Sequence, residues 1–386
     1  MGELMRILII GNGVAGMTAA ETIRAADKSC AITILSDEPY AFYSRPRLIE
    51  FLADTATVDQ ITIHARNWYE KNAIELLDSV IIIGVDSAAK TIKANNGKIY
   101  QYDKLVIASG ATSFLPPVPG ADLAKVFTLR TIQDAEKIKT VAREKKNAVV
   151  IGGGLLGIEV ANSLSVLGVK VLVVELLDRL LPRQLDHDGS AMVRRLLERK
   201  GLLFCTGKQT GAVEKSNDQR LIRLNDGSEI TTDFIVFSAG VRSDFRCVNN
   251  TPVIHNKGII VDEFMRTNVP AIYACGDVAE YNSVTSGLWQ PAREQGMTCG
   301  NHIVGIERPY KNSVPSTRLK VAGIDFASIG EIEIKEGVDA TVEKDENAGV
   351  YKKLFTRDNV PVGAILIGNV KDAVKLQQVI KNGKGL

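Results

Sequence analysis

The sequence predicts an α/β protein made of two related parallel-sheet domains with a small C-terminal α+β domain. Three observations carry this: a strand–turn–helix–strand pattern at the N-terminus, a second copy of it near residue 150, and a change of character after residue 310. At 386 residues the chain exceeds the roughly 250–300 at which one core stops growing, so several domains are expected.

The first copy begins with Arg6-Ile7-Leu8-Ile9-Ile10, a short continuous apolar run of the kind a strand buried on both faces requires. It runs straight into Gly11-Asn12-Gly13-Val14-Ala15-Gly16 without a small-residue cleavage site, which argues against a signal peptide. Met17 to Ala26 then show helical periodicity, and Ala31-Ile32-Thr33-Ile34-Leu35 read as the next strand. The second copy has the strand Ala148 to Ile151, the turn Gly152-Gly153-Gly154-Leu155-Leu156-Gly157, a helix from Leu155 to Leu167 and a strand from Val169 to Val174.

Glycines at this spacing have a mechanical reason. The first permits the tight bend, the second lets the backbone approach a pyrophosphate, and the third lets helix and strand pack closely, while the helix N-terminus offers amides to the anion. Gly11, Gly13 and Gly16, with Gly152, Gly154 and Gly157, therefore mark two Rossmann-like dinucleotide-binding domains, each in the strand–helix context that makes the pattern specific. Glu175 closes the second copy, where a carboxylate accepts from a ribose 2′-hydroxyl and repels a 2′-phosphate, so NADH is preferred over NADPH. Asp37 can serve the first copy in the same way, with Ser36 directly after the strand.

Between the copies, Lys104-Leu105-Val106-Ile107-Ala108 is a buried strand ending at Ser109-Gly110, followed by the stiff linker Pro116-Pro117-Val118-Pro119-Gly120. A matching strand, Phe234 to Phe237, ends at Ser238-Ala239-Gly240 and marks a second crossing. The expected domains are 1–112 with 239–309, then 113–238, then 310–386 as the α+β tail, with a helix at Val370 to Ile380.

Composition narrows the function classes. With 45% hydrophobic and 24% charged residues, the chain is ordinary globular protein. A net charge of +2 gives no push toward nucleic acid or membrane, and no apolar run approaches the ~18 residues of a membrane span. The five cysteines never form C-x-x-C, which argues against disulfides, zinc or a dithiol pair and favours a cytoplasmic location. His64, His187, His255 and His302 have no metal-ligand spacing, and no metal is expected.

A further signal is Thr267-Asn268-Val269-Pro270-Ala271-Ile272-Tyr273-Ala274-Cys275-Gly276-Asp277, an apolar strand stopping at a glycine and a carboxylate. With it, the ordered set of motifs resembles the FAD-dependent pyridine nucleotide-disulfide oxidoreductase family, of glutathione-reductase-like fold, over residues 5–386. The resemblance implies FAD at the first turn and NADH at the second. Gly11, Asn12, Gly13, Val14, Ala15 and Gly16 would hold the FAD pyrophosphate, Ser36 and Asp37 the adenosine ribose, and a backbone group near Ile82 the adenine. The strand ends at Ala108, Gly110 and Gly240 would border the cofactors. Arg130 and Trp289 would lie beside the flavin, Trp289 opening a helix from Pro291 to Ile303, and Asp277 would take the ribityl chain. Glu159 would lie close to flavin and nicotinamide.

The disulfide-reducing branches carry a cysteine shortly after the second strand of the FAD domain. Here that stretch reads Glu38-Pro39-Tyr40-Ala41-Phe42-Tyr43-Ser44-Arg45-Pro46-Arg47-Leu48, with no cysteine. Tyr43 to Leu48 instead resemble the branch that reduces small iron proteins, the rubredoxin reductases, ferredoxin reductases and the FAD portion of nitrite reductases; Arg45 would contact FAD. Relatives have Ser-Lys after the leucine where this chain has Ile49-Glu50, so Arg47, or Lys320 from the tail, would replace the lysine opposite Glu159. The tail stretches Ser316 to Asp325 and Leu366 to Ala373 are similar to the same branch, which brings Lys320 toward the flavin and makes Glu159 and Lys320 the catalytic candidates.

The implied reaction passes hydride from NADH to FAD and then single electrons to a small acidic iron protein, rubredoxin first, docking near Arg45, Arg47, Arg318 and Lys320. The alternatives are an NADH oxidase using oxygen or peroxide, a module related to NADH-dependent nitrite reductase, and a sensor without turnover. An end at Leu386, before any cysteine-rich domain, suggests a free-standing electron donor, monomeric or homodimeric.

Overall fold

The computed structural model describes residues 4–311 and 316–383. The chain divides into two compact units, one gathering residues 1–45, 58–112 and 241–312, the other 46–57, 113–240 and 313–386.

In the first unit five parallel strands lie in the order Ile272–Ala274, Lys104–Ile107, Arg6–Ile10, Ala31–Leu35, Ile74–Leu77. Arg6–Ile10 takes the centre because both its faces are apolar: Ile7 and Ile9 are fully buried, and Leu8 and Ile10 nearly so. The helix α1, Val14–Ala26, follows this strand and packs on the helix Trp289–Ile303. Both begin earlier than the periodicity suggests. Val14 to Gly16 are already helical because first-turn N–H groups need no intrahelical partner, and Pro291 is tolerated within a first turn for the same reason.

The two helices approach closely because Gly296 and Gly300, one turn apart, face Ala15 and Ala19. A Cβ on Gly296 would stand 2.3 Å from the Ala15 carbonyl oxygen, and one on Gly300 would stand 2.8 Å from that of Ala19. The contact is therefore backbone against backbone.

The second unit repeats the plan. Its parallel strands lie in the order Leu203–Thr206, Lys170–Glu175, Asn147–Ile151, Phe234–Phe237, Val126–Thr128, and the helix α2, Leu155–Val166, follows the central strand. A three-stranded antiparallel sheet, residues 210–232, contributes Val213, Ile222 and Leu224 to a core shared with Val149, Val174, Ile235 and Phe237.

Residues 46–57 also belong here. The Ser163 hydroxyl donates to the Ile49 carbonyl (2.9 Å), Asp54 pairs with Lys139 and Arg143, and the Lys139 ammonium lies 4.1 Å from the Phe51 ring centre. The bond from Lys139, then its charge and Arg143, hold the Asp54 carboxyl below its ordinary pKa against the opposing effect of burial.

The tail is a five-stranded antiparallel sheet in the order Ser316–Val321, Ile324–Gly330, Val360–Ile367, Val350–Arg357, Asp339–Asp345. Its helix is Ala373–Asn382, shifted toward the C-terminus from the expected span, and ends on Gly383 in the left-handed conformation (φ 60°). Asp186, the N-cap of His187–Glu198, fastens the sheet: its carboxylate accepts from the Gly189 N–H (2.9 Å), the Tyr351 hydroxyl (2.7 Å) and the Lys353 ammonium (2.7 Å).

Among the described residues no helix is long and apolar enough to cross a membrane. Gly296→Ala should lower stability by about 2–3 kcal/mol, since neither backbone can retreat cheaply; a denaturant midpoint unchanged from the parent would contradict the backbone contact.

Candidate functional site

The two glycine turns share one geometry. Gly11 and Gly152 have φ of 109° and 118°, a region open to glycine, and each N–H donates at 2.8 Å to the neighbouring strand, at Leu35 and Val174. A Cβ on Gly11 would stand 2.2 Å from the Ala108 carbonyl oxygen, and one on Gly152 would stand 2.3 Å from that of Ser238. A Cβ on Gly16 or Gly157 would meet the carbonyl oxygen of the turn's own first glycine, at 2.1 and 1.9 Å. Ala108 and Ser238 follow the strand on the far side of each central strand, so each turn sits at the carboxyl ends of the strands where the winding reverses, the place open α/β sheets use for ligands.

The remaining glycine differs in each turn. Gly13 and Gly154 have no heavy atom within 4 Å of an added Cβ, although both have ordinary backbone angles as N-caps of α1 and α2. Neither cap contributes a side-chain hydrogen bond and neither first turn holds an acidic residue, so the positive helix ends are left for an anion. Both turns thus fit the pyrophosphate of a dinucleotide such as FAD or NADH. Asn12 is braced: the Tyr69 hydroxyl donates to its Oδ1 (2.9 Å) and accepts from the Phe42 N–H (3.0 Å), while the Asn12 amide reaches the Tyr40 carbonyl (3.3 Å).

The strand ends distinguish the two copies. In the second, Glu175 is buried and its carboxylate accepts from the Gly153 N–H (2.5 Å) and the Leu177 N–H (2.8 Å), so it holds its own glycine turn and keeps lone pairs for a ribose. The strand register puts Ser36 at the matching place in the first copy, with Asp37 next to it and exposed. Glu38, one residue on, turns inward to the Tyr43 hydroxyl (2.7 Å) and the Arg45 guanidinium (2.6 Å). Val80 donates to the Ser36 carbonyl (2.8 Å), which brings Ile82 close to that strand end.

The first unit gathers Gly11 to Gly16, Ser36, Asp37, Arg45, Ile82, Ala108, Gly110, Asp277 and Trp289. Trp289 opens its helix half-buried and stacks on Phe42, with centroids 5.9 Å apart and planes at 15°. Arg130, Gly152 to Gly157, Glu159, Glu175, Gly240 and Lys320 belong to the second unit. Arg130 precedes the capping box Thr131–Asp134 and donates its N–H to Asp134 (3.0 Å), and Lys320 is exposed in its tail strand. Tyr69 carried no sequence signal, because it acts on Asn12, 57 positions away, which only the fold brings near.

Glu159 lies in the first half of α2. Burial pushes its carboxyl up to about 7, and the Ala322 N–H opposes this only in part. Arg47, one of the two expected partners, pairs with Glu50 (2.7 Å). No cluster of His, Cys, Asp and Glu that could hold a metal is present among the described residues.

Comparison with known proteins places this geometry. Residues 5–296 match the family described as pyridine nucleotide-disulphide oxidoreductase, and residues 315–384 match the rubredoxin NAD+ reductase C-terminal domain. The chain is 36% identical over 378 residues to a protein called nitrite reductase [NAD(P)H] from Bacillus subtilis, covering 97% of this chain and 47% of that protein. It thus spans about half the length of several of the curated relatives it matches. It is 34% identical to NADH-rubredoxin oxidoreductase of Clostridium acetobutylicum, covering 98% of this chain and 95% of that one. The crystal structure of the NADH:rubredoxin oxidoreductase from that organism matches with a TM-score of 0.83 at 32% identity, covering 99% of this chain and 96% of that one.

Gly13→Ala should leave apo-protein melting unchanged within about 0.5 kcal/mol, because its Cβ enters open space, yet weaken FAD binding at least about tenfold by blocking the phosphate approach. Flavin titration and melting curves measure the two separately, and equal FAD affinity would show that the phosphate does not pass Gly13.

Because burial raises the pKa of Glu159, the folded state holds its proton more tightly than the unfolded chain. The resulting destabilisation is absent below pH 4.5, grows to about pH 7 and is constant above. Glu159→Gln should therefore stabilise the protein at pH 8 by about 1–2 kcal/mol, discounted for partial exposure, and have little effect at pH 4.5. Urea unfolding at both pH values checks this.

Proposed function

The chain belongs to the pyridine nucleotide-disulphide oxidoreductase family, and we propose that it is a flavoprotein passing reducing equivalents from NADH through FAD to a small iron protein, with rubredoxin as first choice. We assign residues 1–112 and 239–309 to FAD, 113–238 to NADH and 310–386 to the C-terminal domain, with the difference that residues 46–57 and 239–240 pack with the second unit. The observation that carries the reading is the pair of uncapped, glycine-lined helix N-termini of one geometry in one chain.

FAD, when bound, accepts two electrons as hydride and releases them one at a time, chemistry that side chains alone do not supply. The chain's own part is placement. The amides at the start of α1 and α2 hold the two pyrophosphates, Asp277 meets the ribityl hydroxyls, and Glu175 admits a free 2′-hydroxyl and repels a 2′-phosphate. Phe42, stacked on Trp289, occupies the stretch in which a disulfide-reducing relative carries its thiol, so electrons leave without a cysteine relay. All five cysteines are unpaired, which supports work in a reducing cytoplasm. In the second unit Arg318 and Lys320, with Arg47 beside Glu50, offer positive charge to an acidic partner.

A second reading has the likeness to nitrite reductases in its favour, since that match spans nearly all of this chain. In it, the same NADH and FAD half feeds an iron–sulfur and sirohaem acceptor.

Anaerobic mixing of the FAD-loaded protein with NADH should bleach the flavin, and NADPH should do so at least about tenfold less efficiently. With rubredoxin, ferredoxin, a disulfide and oxygen compared side by side, rubredoxin should give the fastest turnover. A flavin that stays oxidised excludes the reductase, and a disulfide or oxygen in first place replaces the acceptor.

A further inference from the structure

We propose that Ser243 and Gln295 are positioning residues for Asp277, fixing the direction in which its carboxylate meets the hydroxyl-bearing chain of FAD. This rests on the assignment of FAD to the first glycine turn.

The strand Ile272–Ala274 ends where the Cys275 N–H donates to the Ile107 carbonyl (3.1 Å). Gly276 then turns with φ 82°, and a Cβ there would stand 2.7 Å from that of Ala15, so the bend crosses the start of α1. A glycine at positive φ, followed by an aspartate in a loop, is a freely rotating joint unless something else holds it.

Two groups from separate segments hold this one. The Gly276 N–H donates to Gln295 Oε1 (2.8 Å), a side chain only 2% exposed. The Asp277 carbonyl accepts from the Ser243 hydroxyl (2.7 Å). The Gln295 amide lies beside the Tyr310 hydroxyl, which feels its influence, and the Tyr310 N–H is anchored on the Glu263 carbonyl (2.7 Å). One bond grips the dipeptide at its first N–H and the other at its last C=O. The backbone torsions between them, and with them the Asp277 Cα–Cβ direction, are set from both sides.

Neither bond is needed to form the strand, which pairs with Lys104–Ile107 through its own ladder. Their evident effect is on the two residues after it. A side chain that hydrogen-bonds a cofactor must be held to a fraction of an ångström by groups behind it, and a buried Gln and a Ser hydroxyl are groups of that kind.

The test is apo-protein titrated with FAD for four variants: Ser243→Ala, Ser243→Thr, Asp277→Ala and the double variant Ser243→Ala/Asp277→Ala. Ser243→Ala should weaken FAD about five- to thirtyfold, and Ser243→Thr, which keeps the hydroxyl, should stay within about twofold of the parent. In the Asp277→Ala background the loss caused by Ser243→Ala should shrink to about twofold or less, because the hydroxyl acts through that carboxylate. A merely structural role would give the same loss in both backgrounds and would overturn the proposal. If Asp277→Ala weakens FAD and Ser243→Ala does not, the positioning role alone falls. If Asp277→Ala leaves FAD binding unchanged, the FAD assignment falls and takes the proposal with it. Gln295→Glu gives an independent arm: it keeps an acceptor for Gly276 but replaces the amide nitrogen beside Tyr310 with an oxygen, and an effect that likewise vanishes without Asp277 supports the same conclusion.

Discussion

Both parallel sheets depend on one close approach, in which the first glycine of each turn stands against the carbonyl oxygen that ends the strand across the reversal point, Ala108 for Gly11 and Ser238 for Gly152. A Cβ at either place would sit 2.2–2.3 Å from that oxygen, far inside contact, so the chain can bend there only without one. The bend delivers the following helix with its N-terminus at the strand ends. The third glycine of each turn, against the carbonyl of the first, keeps that helix on its sheet. The helix end, the bordering strand ends and the open second glycine are one consequence of these contacts, which is why the same machinery appears twice.

The copies diverge where the next strand ends. Glu175 spends part of its hydrogen-bonding capacity on its own turn, and in the role we propose for it the remaining lone pairs meet a ribose hydroxyl, which suits a cofactor that must be distinguished from its phosphorylated form. Ser36 at the matching place carries no charge, and the acidic function moves outward to Asp37 and inward to Glu38. FAD, which we assign to the first turn, has no 2′-phosphate counterpart to reject, so that turn has less need of the carboxylate. The exchange partner also differs in mobility: a nicotinamide nucleotide must leave each cycle, whereas a flavin stays, and the brace from Tyr69 to Asn12 is found on the turn we assign to FAD.

Much of this was legible from local pattern. Glycine spacing, continuous apolar runs and an acid after a strand are short-range signals, and they located both turns, the six strands from Arg6 to Phe237 singled out by their apolar runs, and Glu175. The helix ends were less legible, since Val14 to Gly16 read as turn while their backbone is helical, and Gly383 stops the last helix beyond the point where its apolar spacing fades. The supporting side chains were not legible at all. Tyr69 meets a residue 57 positions away and Ser243 one 34 positions away; no periodicity encodes such a meeting. Nothing in residues 46–57 announces that they pack with the second unit, because Ser163, Lys139 and Phe51 form that contact only once both segments are folded.

That short segment bears on how the protein is made. The first unit closes its sheet with Ile272–Ala274, so residues 4–112 emerge from synthesis long before their last strand exists. During that interval Leu48, Phe51 and Leu52, which end up buried, have no finished surface to cover. Neither unit is an unbroken stretch of chain, and cutting the gene between residue 112 and residue 272 separates the first unit's sheet from its last strand and divides that core between two fragments. The protein is a poor subject for dissection into modules and a natural client for chaperones while the ribosome is still at work.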